Sequence, residues 1–177
     1  MKKSRGIIVG RFQPVHNGHI QIIRNVLEEI DELIIAIGSA QLSHTPKNPF
    51  TAGERVTMVK EALNEININP NSYYIIPIPD ISNHSLWASH VKTLTPSFNK
   101  VYSGNPLVQR LFIENNYEVT TPPLYNRTEY SGREIRNKMI NDEKWDILVP
   151  NTTYKFIREI DGINRIKDLS QKEINEL

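Results

Sequence analysis

The chain has 177 residues, with 21 Lys and Arg against 20 Asp and Glu, and no cysteine. This length can bury the apolar core of one medium domain without disulfide or metal staples. The net charge of +1 gives no global attraction to nucleic acid, and the lack of cysteine excludes disulfides, thiolate metal sites and Cys nucleophiles. Because no leader-like or membrane-spanning apolar run is found, we expect a cytoplasmic protein that binds neither nucleic acid nor membrane.

Five short apolar segments alternate with segments of helical periodicity. The apolar segments are rich in β-branched or aromatic residues and end in turn formers, as buried strands do: RGIIVG, ELIIAIG, YYIIPIP, KVYSG and YEVTTP. The segments between them carry apolar residues at helical spacing: HIQIIRNVLEEI, AGERVTMVKEALNEI, SLWASHVKTL and PLVQRLFIEN. This alternation predicts an α/β, Rossmann-like fold, a five-stranded parallel sheet with helices on both faces.

The alternation stops after Tyr125, and the remaining segments have helical patterns only. No linker of the Gly/Ser or Pro-rich type separates them from the rest. We therefore expect a single domain over 1–177, made of an α/β core over 1–124 and a helical C-terminal part over 125–177 that carries the motif SGREIR.

The stretch GRFQPVHNGH, residues 10–19, joins the first predicted strand to the first predicted helix. Ligands of such sheets bind beyond the carboxyl ends of the strands, and a helix N-terminus attracts anions. Gly10 is expected to allow a tight turn, and Gly18 keeps side-chain bulk away from the first helical turn. Arg11 offers a bidentate donor, and His16 and His19, three residues apart, face the same side. The joint therefore predicts an anion site.

The joint also allows other interpretations. Two histidines three apart are often an unrelated surface pair. A zinc site of the HExxH kind needs a spacing of four and a further ligand, which this stretch lacks. Neither the Walker A pattern nor GxGxxG occurs. The two familiar nucleotide-binding loops therefore do not apply.

Specific motifs resemble a known family. HNGH is similar to the HxGH motif of the nucleotidyltransferase superfamily, and the fuller GRFQPVHNGH resembles adenylyltransferases that make NAD. IGSAQLSH, NPFTAGER, VYSGNPLVQRLF and EYSGREIR, with Trp87 after the pair DI, resemble the archaeal type of nicotinamide mononucleotide (NMN) adenylyltransferase. The resemblance runs from Arg5 to about Ile163. It implies that the 1–124 core binds nucleotide. It also implies that ATP and NMN react, in the presence of magnesium, to give NAD and pyrophosphate. The NMN phosphate would attack the ATP α-phosphorus directly and in line.

The same resemblance implies roles for individual residues. The catalytic group comprises His16, His19, Arg11 and Arg136. The ATP-binding group comprises Gly10, Arg11, His16, His19, Lys47, Gly104, Asn105, Arg127, Ser131 and Arg136. The NMN-binding group comprises Ser39, Gln41, His84 and Trp87. No protein side chain is expected to bind the metal, since phosphate oxygens and water would hold Mg²⁺.

The sequence departs from the family pattern at two positions, and some roles stay open. Arg133 stands where the motif usually has threonine, and His84 where asparagine is common. Arg133 either adds a phosphate donor or, as we favour, points to solvent. For Lys47, the sequence does not favour either of two interpretations, a ligand of the triphosphate or a solvated lysine. Trp87 either stacks on nicotinamide or is a core tryptophan.

Two further pairs of residues lie in or next to predicted helices, and their positions indicate their roles. Ser131 and Arg136 are phosphate ligands or belong to an ordinary capped helix. Glu54 and Arg55 are expected on a helix surface or in subunit contacts.

Two rival functions remain. One is another transferase of the superfamily, acting on phosphopantetheine, a polyol phosphate or a flavin precursor, which has no use for an aromatic platform such as Trp87. The other is a nucleotide-binding regulator without catalysis, for which the two departures are the only support. The resemblance also implies a homo-oligomer, with a hexamer as one form, although nothing in the residues requires it.

Overall fold

The computed structural model describes residues 3–123 and 130–175. The strands are β1 (Arg5–Gly10), β2 (Glu32–Ile37), β3 (Tyr73–Pro77), β4 (Lys100–Tyr102) and β5 (Glu118–Thr120). The α-helices in this part of the chain are α1 (Asn17–Glu29), α2 (Ala52–Glu65), α3 (Trp87–Leu94), α4 (Pro106–Glu114), α5 (Gly132–Ile140), α6 (Asn151–Glu159) and α7 (Gly162–Asn175). None of these helices is both long and apolar enough to cross a membrane.

The five strands form one parallel sheet in the order β3-β2-β1-β4-β5. The chain builds outward from β1 in one direction through β2 and β3, and in the other through β4 and β5. The order therefore reverses between β1 and β4. A crevice opens at such a point beyond the carboxyl ends of the two strands, which is where ligands of these sheets bind. The predicted parallel sheet is confirmed.

Alternate residues of the strands enter two separate cores. Ile8 and Ile35 lie in the larger core, with apolar residues of α1 and α2. Ile7 and Ile34 lie in the smaller one, with apolar residues of α3 and α4. Successive side chains of a strand point to opposite faces, so helices cover both faces of the sheet, as the sequence predicts.

The C-terminal helices share the larger core. Met139 of α5, Ile157 of α6 and Ile166 of α7 are buried in the same cluster as Ile8 of β1. Because the described residues of these helices share the core of the sheet, we propose that 1–177 forms one domain. The boundary expected between 124 and 125 lies outside the described residues.

Candidate active site

The joint between β1 and α1 is closed by a reciprocal pair of hydrogen bonds. His16 is the N-cap of α1, and its Nδ1 accepts from the backbone N–H of His19 at 3.3 Å. The Nδ1 of His19 accepts in return from the backbone N–H of His16, also at 3.3 Å. This is a capping box in which two imidazoles take the places of the usual Ser/Thr and Glu/Gln. It satisfies two backbone donors at the start of the helix.

The capping box also fixes the tautomer of both histidines. Since each Nδ1 accepts a hydrogen bond, the proton of each neutral ring is on Nε2. The two rings are stacked, with centroids 3.6 Å apart and planes 25° apart. The spacing of three residues therefore brings His16 and His19 together as predicted. Each ring therefore has one remaining donor, its Nε2–H.

Both histidines are neutral at pH 7 in this structure. Burial lowers the pKa of the His16 imidazole to about 4, consistent with its 7% exposure. Burial and the neighbouring His16 hold the pKa of His19 well below its usual value. The pair therefore acts through hydrogen bonds rather than through a fixed positive charge.

The low pKa of His16 predicts a pH dependence of stability. In the unfolded chain His16 is protonated below about pH 6.5, whereas in the folded chain its pKa is about 4. The free energy of unfolding therefore falls as the pH decreases from about 6.5 to about 4. Replacing His16 with asparagine keeps a good N-cap and removes the titrating ring. Between about pH 7.5 and about pH 5, we expect the free energy of unfolding to fall by about 2 kcal/mol less in His16→Asn than in the wild type. Urea titrations at both pH values measure it, and equal decreases in the two proteins would refute a buried neutral His16.

Helix α5 packs against this joint from the C-terminal part of the chain. Ser131 caps α5 by accepting from the Glu134 N–H at 3.1 Å. A Cβ at Gly132 would lie 2.7 Å from the Gln13 carbonyl oxygen, so only glycine allows this approach. Arg136 donates to the Gln13 carbonyl at 2.7 Å and to the Pro46 carbonyl at 3.0 Å. The motif SGREIR therefore fits onto the GRFQP loop.

Positive charge is concentrated where α5 meets β1. Burial lowers the pKa of the Arg136 guanidinium to about 10, and the charges of Arg11 and Arg133 act in the same direction. Arg133 is exposed, in agreement with the solvent interpretation. The mutual repulsion of the Arg11 and Arg136 guanidiniums becomes attraction when a polyanion lies between them. The arrangement is suited to binding a polyphosphate.

A cleft of about 480 Å³ opens between the ends of β1 and β4, at the reversal of strand order. It is lined by six of the residues predicted for the site, namely Gly10, Arg11, Ser39, His84, Trp87 and Asn105. Its remaining wall is mostly apolar, with Val9, Ile81, Leu107, Val108 and Leu111. Such a volume is typical of small-molecule sites. Arg11 lines this cleft, and its charge also acts on Arg136. His16, His19, Ser131 and Arg136 are not among the residues that line it.

Trp87 is a core residue that also lines the cleft. The side chain is 9% exposed and belongs to the smaller core, together with Ile7 and Ile34. Trp87 also lines the cleft, and its ring centroid lies 5.8 Å from that of His90. The indole is therefore a core residue whose exposed part contributes to the cleft wall.

The other predicted residues occupy different surroundings. The Gln41 side chain accepts from the Asp80 N–H at 2.9 Å and so ties the loop after β2 to the loop after β3. Lys47 is exposed. Gly104 is half-buried between β4 and α4, and Asn105 caps α4 by accepting from the Leu107 N–H at 2.9 Å. Arg127 lies outside the described residues.

Three expectations change in the structure. Gly10 is the last residue of β1 and does not have a positive φ; the left-handed position is Phe12, at φ 50°, whose ring would lie 2.9 Å from a Cβ at residue 10. Arg55 is not on the surface but fully buried, and it donates to backbone carbonyls that follow β1 and β2. Its neighbour Glu54 pairs with Arg165 at 2.8 Å within the chain rather than facing solvent freely.

Asp80, an acidic residue that also lines the cleft, is not among the residues predicted for the site. Its position in the sequence could have identified it, because Asp80 follows β3 at the same edge of the sheet as the loops after β1 and β2. Parallel strands bring their carboxyl ends to one edge, so a polar residue just after β3 is a candidate for the site.

The stacked HxGH histidines, the facing SGREIR helix and the cleft at the strand reversal are features of a nucleotidyltransferase. The chain belongs to the cytidylyltransferase-like family, whose model matches residues 7–138. It is 55% identical to the nicotinamide-nucleotide adenylyltransferase of Methanococcus vannielii over 97% of this chain and 98% of that protein. It is also 55% identical to the enzyme of that name from Methanococcus aeolicus, over 96% of each chain. These relatives confirm the resemblance found in the motifs.

The fold is also similar to a solved structure. A bifunctional NMN adenylyltransferase/ADP ribose pyrophosphatase from Francisella tularensis, complexed with AMP and a manganese ion, superposes with a TM-score of 0.80 at 22% identity. The match covers 98% of this chain and 54% of that longer chain. At this identity the similarity concerns the fold.

Proposed function

We propose that this protein transfers the adenylyl group of ATP to nicotinamide mononucleotide, giving NAD and pyrophosphate. The observation that carries the proposal is a pair of features at the carboxyl end of β1: a largely apolar cleft lined by Arg11 and Trp87, and the stacked His16 and His19 at the start of α1. A reaction between a nucleotide triphosphate and a second nucleotide needs such adjacent sites. The near-full-length relatives named for this activity support it.

In this proposal the ATP phosphates occupy the positive end of the site. His16, His19 and Arg11 meet them from the β1–α1 side, while Ser131 and Arg136 meet them from α5. Arg136 is already oriented by its hydrogen bonds to the Gln13 and Pro46 carbonyls. Donors that are fixed before the ligand binds lose little freedom when the transition state forms.

The nucleosides would occupy the cleft. NMN is assigned to the wall formed by Trp87 and His84, with Ser39 and Gln41 from the loop after β2. The adenosine side of ATP is assigned to Gly104 and Asn105, at the start of α4. Lys47 and Arg127 complete the proposed ATP contacts.

The reaction needs no strong general base. The NMN phosphate is mostly dianionic at neutral pH, so its oxygen can attack the ATP α-phosphorus directly. The new oxygen–phosphorus bond forms as the bond from the α-phosphorus to the bridging oxygen breaks, and pyrophosphate leaves with that electron pair. The Nε2–H donors of His16 and His19 would stabilise charge on the α-phosphoryl oxygens, with His19 nearest the reacting phosphorus.

A divalent cation fits this site as a partner of the triphosphate. Within residues 3–123 and 130–175, no group of three or more His, Asp or Glu side chains could hold a metal ion. The Francisella relative is complexed with AMP and a manganese ion, and we propose magnesium for this chain, bound by phosphate oxygens and water. When bound, the cation neutralises phosphate charge. Cytoplasmic location and homo-oligomer assembly stay predictions from the sequence.

An acceptor assay tests the function. Purified protein is incubated with ATP, magnesium and, in separate reactions, NMN, nicotinic acid mononucleotide, phosphopantetheine, a polyol phosphate and a flavin mononucleotide. We expect pyrophosphate release with NMN, accompanied by an equal amount of NAD. Faster release with an acceptor that has no pyridine ring would favour another transferase, and no release with any acceptor would favour a regulator.

A paired substitution tests whether Arg11 and Arg136 share one ligand. Lysine at either position keeps the charge but loses the planar fork, so we expect each variant to lower kcat/KM by about tenfold or more. The double variant is expected to be less than additive, because one polyphosphate links the two residues. Arg133→Lys, on the exposed side of the same helix, serves as the control. Full additivity with unchanged ATP affinity would contradict a shared site.

A further inference from the structure

Arg55 is buried completely although it is an arginine on a helix that packs beside the sheet. Among the described residues it forms no ion pair with a carboxylate, although the charge of Asp80 offsets part of the lowering of its pKa by burial. A buried guanidinium without such a partner is costly unless hydrogen bonds compensate its charge. The position therefore needs an explanation beyond the packing of α2.

The guanidinium bonds to backbone carbonyls from three separate segments. Its Nη1 donates to the Arg11 carbonyl at 3.0 Å and to the Gly38 carbonyl at 2.8 Å. Its Nη2 donates to the Ser39 carbonyl at 3.1 Å. Its Nε donates to the Thr51 carbonyl in the first turn of its own helix, at 3.2 Å. Arg55 thus connects the loop after β1 to the loop after β2.

Both of these loops contain strained backbone. Phe12, which follows Arg11, and Ser39 each have φ of 50°, a left-handed conformation that is unfavourable for a residue with a side chain. Such conformations persist only where surrounding contacts hold them. The Arg11, Gly38 and Ser39 carbonyls that Arg55 binds belong to, or directly precede, these two residues. Arg11 and Ser39 themselves line the cleft.

We infer that Arg55 is a positioning residue for adenylyl transfer: it holds the two strained turns that carry Arg11 and Ser39 into the cleft. The inference rests on the proposed function. Arg55 touches no reacting atom, so it acts through the placement of these two residues. Arginine suits the task because its planar donors reach several carbonyls at once, whereas the ammonium of lysine is a single point.

The test compares Arg55→Lys and Arg55→Met with a matched control, Arg165→Lys. Arg165 is also a partly buried arginine beside the start of α2, where it donates to Glu54 at 2.8 Å and to the Pro49 carbonyl at 3.4 Å, away from the cleft loops. Steady-state rates are measured below the melting temperature of each protein. The rise in melting temperature caused by inorganic pyrophosphate or by ATP is measured as well, because it reports binding without turnover.

We expect Arg55→Lys to lower kcat by about tenfold or more and to reduce the ligand-induced rise in melting temperature. Arg55→Met should lower both further, and Arg165→Lys should melt earlier but keep wild-type kcat and a wild-type response to ligands. A folded Arg55→Lys with wild-type kinetics and a wild-type response to pyrophosphate would overturn the inference. So would loss of the folded state in both Arg55 variants at about 10 °C in sucrose, since Arg55 would then serve the fold itself. If the proposed function itself is wrong, the wild-type protein will form no NAD, which distinguishes that failure from failure of the inference about Arg55.

Discussion

Replacing His19 with alanine is expected to lower kcat for NAD synthesis about 100- to 1,000-fold while ATP binding weakens much less. Removal of one preorganised donor to a developing charge typically has an effect of this size. The His19 ring is held by its stacking on His16 at 3.6 Å and by the hydrogen bond that its Nδ1 accepts. Its Nε2–H is therefore fixed before substrate arrives. Steady-state kinetics, with ATP affinity measured by calorimetry, give both quantities.

A matched variant separates catalysis from helix capping. Glutamine is the usual partner at this position of a capping box, so His19→Gln keeps the acceptor for the His16 N–H but lacks the imidazole. We expect His19→Gln to recover the stability lost in His19→Ala and to remain as inactive. Near-normal turnover in either variant would contradict the role given to His19.

Truncating Trp87 to alanine is expected to raise the KM for NMN about tenfold or more, with the KM for ATP nearly unchanged. The nicotinamide ring of NMN is positively charged, and a cation over an indole contributes about 1 to 2 kcal/mol when water is excluded. This contact exists in the ground and transition states alike, so kcat should change little. Trp87→Phe should recover part of the affinity.

The same substitution also costs stability, since Trp87 belongs to the smaller core. A loss of about 3 to 5 kcal/mol is usual for a buried tryptophan. Trp145→Ala is the matched control, because Trp145 is 7% exposed in the larger core and packs on Tyr154 with ring centroids 5.0 Å apart. Kinetics are compared at a temperature where both variants are folded. An equal rise in both KM values for Trp87→Ala, or a rise in the NMN KM for Trp145→Ala, would contradict a stacking role.

The sheet and the histidine pair could be predicted because their signals are local. Buried parallel strands are short β-branched runs, and a spacing of three residues places two side chains on one helical face. His16 and His19 are therefore stacked as the sequence implied. The exposure of Arg133 and the Ser131 cap likewise follow from positions within one helix.

The surroundings of Arg55 could not be predicted from local patterns. Arginine in a helix is usually exposed, so surface was the default interpretation. Its partners, the carbonyls of Arg11 and Ser39, lie 44 and 16 residues away in sequence. Every residue has a backbone carbonyl, so the residue types of the partners do not indicate that a side chain binds their carbonyls. Only the packing of α2 against the ends of β1 and β2 reveals the contact.

The role of Asn105 could be predicted only in part from the sequence. The pair Asn-Pro at the start of α4 is a signal for a helix N-terminus, and the Asn105 side chain indeed caps the helix. The same residue also lines the cleft. A capping residue at the carboxyl end of a strand serves local structure and lies near the ligand at once, and the sequence alone does not separate the two roles.

In the proposed reaction, one displacement at the carboxyl end of β1 passes the adenylyl group from ATP to NMN. Incubation of the protein with magnesium and ATP carrying a radioactive α-phosphorus tests it most directly. With NMN present, the label should move from ATP into NAD, with one pyrophosphate released for each NAD formed, and none should remain on acid-precipitated protein. Without NMN, the ATP should keep its label. Label bound to the protein, or label released as AMP in place of NAD, would contradict the account.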